Sequence, residues 1–112
     1  MTADDALGLV CTLPGSERAP RSVTLRDIIS HARGWTELET GVALRFDGSD
    51  EVARLVFDLI VAERVCCAQF SYTMCFDPQH TSLELRVESP IAFRAALKDL
   101  YLELLREAGI ND

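Results

Sequence analysis

Two cysteines stand side by side at Cys66 and Cys67 in the stretch AERVCCAQF, residues 62–70, one helical turn after Glu63. Thiolates are soft ligands and good nucleophiles, and a carboxyl group can move a proton. The segment therefore carries the material for soft-metal capture or for thiol chemistry. Successive side chains diverge by about 100° around a helix, so a bond between neighbouring cysteines would close a strained ring and break the helical geometry. The pair reads as two separate thiols, able to address one large, soft ion if the helix unwinds there.

A helix starting at Asp50 positions them. Val52, Leu55, Val56, Leu59 and Ala62 fall on one broad apolar stripe, with Asp50, Arg54 and Asp58 opposite. The same spacing puts Glu63 and Cys66 near the middle of that stripe and Cys67 toward its edge beside Ile60. Burying an ionised carboxylate costs on the order of several kcal/mol unless it is paired or hydrogen-bonded. Glu63 is thus expected to meet a cation, to bond backbone donors or to hold its proton. It stands at i, i+3 to Cys66 and i, i+4 to Cys67, both neighbouring pairs on a helix surface.

The cysteines close the helix, where the dipole disfavours a thiolate, and Arg64 points away from Cys66. A bound metal overrules that penalty, because coordination itself deprotonates the thiol. Metal binding suits this place better than nucleophilic catalysis. Cys11 is the expected third ligand, on the core-facing side of a strand in LGLVCTL, residues 7–13. Cys75 alternates to the other sheet face with Ser71 and Thr73. There is no C-x-x-C and no histidine at ligand spacing, which argues against a structural zinc site, and His31 and His80 read as surface residues.

The remaining elements follow from periodicity and punctuation. Residues 14–22 have the composition expected of a loop, Thr24 and Asp27 resemble a capping box, and Leu25, Ile28, Ile29 and Ala32 recur at helical spacing before an expected stop at Gly34. TGVALRFDG carries Val42, Leu44 and Phe46 on one strand face, with Ser49 as N-cap of the long helix. Phe70, Tyr72, Met74 and Phe76 alternate in the next strand, which turns through Asp77, Pro78 and Gln79 into a strand with Leu83, Leu85 and Val87 inward. Ser89 and Pro90 are expected as N-cap and first residue of a last helix bearing Phe93, Ala96, Leu97, Leu100 and Leu104 and ending near Gly109.

The expected order is β-α-β-α-β-β-α: an α/β (α+β) two-layer sandwich, its small mixed or antiparallel sheet covered by helices on one face. At 112 residues the chain makes a single domain, 1–112, with no internal repeat visible. Its 18 acidic and 11 basic residues give a net charge of −7, with the basic residues scattered, so neither nucleic acid nor an anionic membrane is an expected partner. The beginning of the chain lacks the basic and apolar regions of a signal peptide, which points to the cytoplasm, where thiols stay reduced. No organic cofactor is evident.

CTL at 11–13, LRF at 44–46 and ERVCC followed by Phe70 resemble a group of small bacterial proteins with an E-R-x-C-C pattern, often encoded near mercury or arsenic resistance functions. The specific part of that likeness is carried by Glu63, Arg64, Cys66 and Cys67. The group has a proline after the doublet, where this chain has Ala68 and Gln69.

Three functions compete. The first is a binder of a soft metal or metalloid, Hg, As or Cu(I), through Cys66, Cys67 and Cys11. The second is a thiol-dependent enzyme with Glu63 as general acid or base, such as one cleaving a carbon–metal bond. That arrangement resembles organomercurial lyases in residue types only. The third is a homodimeric interaction module with inert cysteines, because Phe57, Val61 and Val65 leave an apolar second face on the long helix unless the C-terminal helix covers it.

Overall fold

The computed structural model describes residues 24–66 and 68–110. Leu25, Ile28 and Ile29 line the buried side of α1, residues 24–29, and Ala32 follows them into the core. The helix is closed by bonds from His31 to Ile28 and from Ala32 to Ile29. It therefore ends before Gly34, and the expected stop is instead the first residue of β1, Gly34–Glu37. This strand is an addition to the expected order: four residues with one large apolar side chain give almost no alternation to read.

β1 forms an antiparallel hairpin with β2, Gly41–Asp47, with Trp35 opposite Leu44. Then come α2, Asp50–Cys66; β3, Ser71–Phe76; β4, Ser82–Glu88; and α3, Ile91–Glu107. The order over the described residues is α-β-β-α-β-β-α. The expected strand at 7–13, with Cys11, lies outside them.

The four strands make a wholly antiparallel sheet in the order β1-β2-β4-β3. Val42, Leu44 and Phe46 of β2 pair with Val87, Leu85 and Leu83 of β4, and all six are fully buried in one core with Val56 and Leu59 of α2 and Leu97, Leu100 and Leu104 of α3. The helices cover that face. On the other face Arg45, Thr73, Cys75 and Arg86 are exposed, while Ala43 of β2 is buried there as well. Gly41 permits the closest approach, since a Cβ there would lie 1.9 Å from the Val87 carbonyl oxygen.

Capping explains where the long helices start. Ser49 caps α2 as expected, its Oγ accepting from the Val52 N–H at 3.3 Å. Ser89 does not cap α3. Its N–H bonds the Thr40 carbonyl, prolonging the sheet, and its hydroxyl donates to the Pro90 carbonyl, so Pro90 becomes the N-cap and the helix begins one residue late. No helix among the described residues is long and apolar enough to cross a membrane.

The topology is that of two ββα units, β1-β2-α2 and β3-β4-α3, joined through their second strands. Leu44 pairs with Leu85 at the centre. Both helices have 17 residues.

Candidate thiol and carboxyl site

α2 carries the site at its C-terminal end. Asp50 and Glu51 in its first turn favour the positive end of the helix dipole, and Val56 and Leu59 seat the helix on the sheet. One further turn along the same buried stripe is Glu63, only 1% exposed. Counted from the first residue of each helix, Val56 falls at the place of Leu97, Leu59 at that of Leu100 and Glu63 at that of Leu104. A carboxyl group occupies a core position that the other unit fills with leucine.

The Glu63 carboxyl is not left without a partner. Arg64 does not turn inward with it: the guanidinium is exposed and its Nε donates to the Val61 carbonyl at 3.3 Å.

Cys66 is the last residue of α2, three positions past Glu63. Cys67 and Cys11 lie outside the described residues, and of Cys66 the backbone alone is described. Among the described residues no three His, Cys, Asp or Glu side chains gather around a point suited to a metal ion. Cys75 is exposed on the open sheet face, its Sγ 3.5 Å from the Phe76 carbonyl oxygen. His31 and His80 are both exposed, as expected.

The turn after the pair holds one group that residue types alone did not single out. Ala68 and Gln69 form the turn and Phe70 returns to the core. The Gln69 Oε1 is buried with no hydrogen-bond partner among the described residues. The available signal was positional, a polar residue between the thiol pair and an inward-facing aromatic.

Glu63, the end of α2 and Gln69 thus fall within one seven-residue stretch, 63–69. No protein-family model matches the chain, and no curated protein or solved structure does so either.

Proposed function

We propose that the chain binds one soft metal or metalloid ion of the Hg(II), As(III) or Cu(I) class through Cys66 and Cys67, with Cys11 as third ligand, in a reducing compartment. The observation that carries this reading is the burial of Glu63 one turn before the pair. Thiols must lose their protons to ligate, so binding releases protons into the site. A carboxylate held beside them takes one up and, once the ion is bound, holds it with little exposure to water. The resemblance of Glu63, Arg64, Cys66 and Cys67 to the E-R-x-C-C group supports the same class of ion.

The same burial favours a second reading, in which Glu63 acts as an acid. Two thiolates hold the metal of an organometallic substrate, the Glu63 carboxyl gives its proton to the carbon, and the carbon–metal bond breaks to leave hydrocarbon, thiolate-bound metal and Glu63 carboxylate. Atoms and charge balance without a further reagent.

Native mass spectrometry of the anaerobically reduced protein tests both readings, with mercuric ion, arsenite, cuprous ion and zinc added in turn. One retained soft ion is expected for the wild type and none for Cys66→Ser. Glu63→Gln should keep the ion. Release of benzene from a phenylmercuric salt by the wild type, lost in Glu63→Gln, would establish the second reading. A Cys66→Ser protein with unchanged affinity would overturn both.

A further inference from the structure

The outer side of α2 is apolar where a solvated helix would be polar. Phe57, Val61 and Val65 recur every fourth residue and are 57%, 39% and 58% exposed, so α3 does not cover them. The stripe continues over a groove lined by Ala53 of α2 and by Met74 and Phe76 of the sheet-edge strand β3. We propose that a second copy of this chain covers the face, the two α2 helices lying antiparallel across a two-fold axis near Phe57.

The charges around the stripe argue for that occupant. Asp50, Arg54, Asp58 and Arg64 share this side of the helix, with Glu51 at its margin beside Asp58, three acids and two bases of net −1 on a chain of net −7. An antiparallel pairing about Phe57 brings Arg54 of each copy toward Asp58 of the other, and Asp50 toward Arg64. A parallel pairing sets like against like. Phe57 meets its own equivalent at the axis and each Val61 packs near Ala53 of the other copy. This is the self-complementarity that a closed two-fold interface requires.

Sedimentation velocity of the reduced, metal-free full chain over a wide concentration series should show a monomer–dimer equilibrium. Val61→Asp, at an exposed position and with circular dichroism used to check that the fold is intact, is expected to raise the dissociation constant about tenfold or more. Arg54→Asp and Asp58→Arg should each weaken the dimer, and the two together in one chain should restore it. A monomer at every concentration would overturn the proposal, as would a dimer indifferent to Val61→Asp. So would a monomer in which Val61→Asp accelerates hydrogen exchange in residues 1–23, which would assign the stripe to the chain's own N-terminal segment.

Discussion

At position 63 the chain keeps an acid where its other unit uses Leu104. A leucine there would bury a side chain of similar reach, but it would strand the group that Glu63 now meets, which costs about 1–3 kcal/mol for a buried polar group and more for a charged one. Glu63→Leu is therefore expected to unfold at lower urea concentration and to lose any proton-transfer role. An unchanged or raised urea midpoint would show instead that the carboxyl does not hold the helix end together. The anomaly is legible in the sequence because burial on a helix follows the 3.6-residue period, and Glu63 interrupts an otherwise apolar stripe. Gln69 is not legible that way, since its burial comes from the turn that follows and a turn has no period.

At the scale of elements, long helices and alternating strands declare themselves, whereas short edges and joints are set by tertiary pairing. β1 exists because Trp35 can lie opposite Leu44 of an established strand, not because GWTE has a pattern of its own. The β3–β4 turn is held by one side chain. Asp77 accepts from the Thr81 N–H at 2.7 Å, the Ser82 N–H at 2.9 Å and the Thr81 hydroxyl at 2.9 Å, and spans a turn in which His80 has φ of 58°. The Ser82 N–H is the chief reason that this carboxyl sits below its ordinary 3.8, with the Thr81 contacts acting in the same direction and desolvation opposing them. A lowered value means that the folded turn favours the ionised form. Its stabilisation is complete above the ordinary value and is lost as pH falls through the lowered one. The urea midpoint of the wild type should thus drop on the acid side, and Asp77→Asn should flatten that drop. Parallel curves for the two proteins would remove Asp77 from the account.

At the scale of the molecule, two ββα units share one core across the Leu44–Leu85 pair. The sequence shows no repeat because the units agree in which positions are apolar more than in which residues fill them. Val56 corresponds in position to Leu97, and Glu63 to Leu104. The duplication has a practical consequence: the protein contains its own blank. The place of Glu63, Cys66 and Cys67 is taken in the second unit by Leu104, Glu107 and Ala108, at the end of a helix of equal length. Leu104→Glu, Glu107→Cys and Ala108→Cys, made together in a chain whose own pair has been silenced by Cys66→Ser and Cys67→Ser, would transplant the segment to the second unit. A soft ion retained there would show that the helix end alone is the transferable receptor. An ion retained only in the natural position would show that the N-terminal segment, through Cys11, supplies what the graft leaves behind.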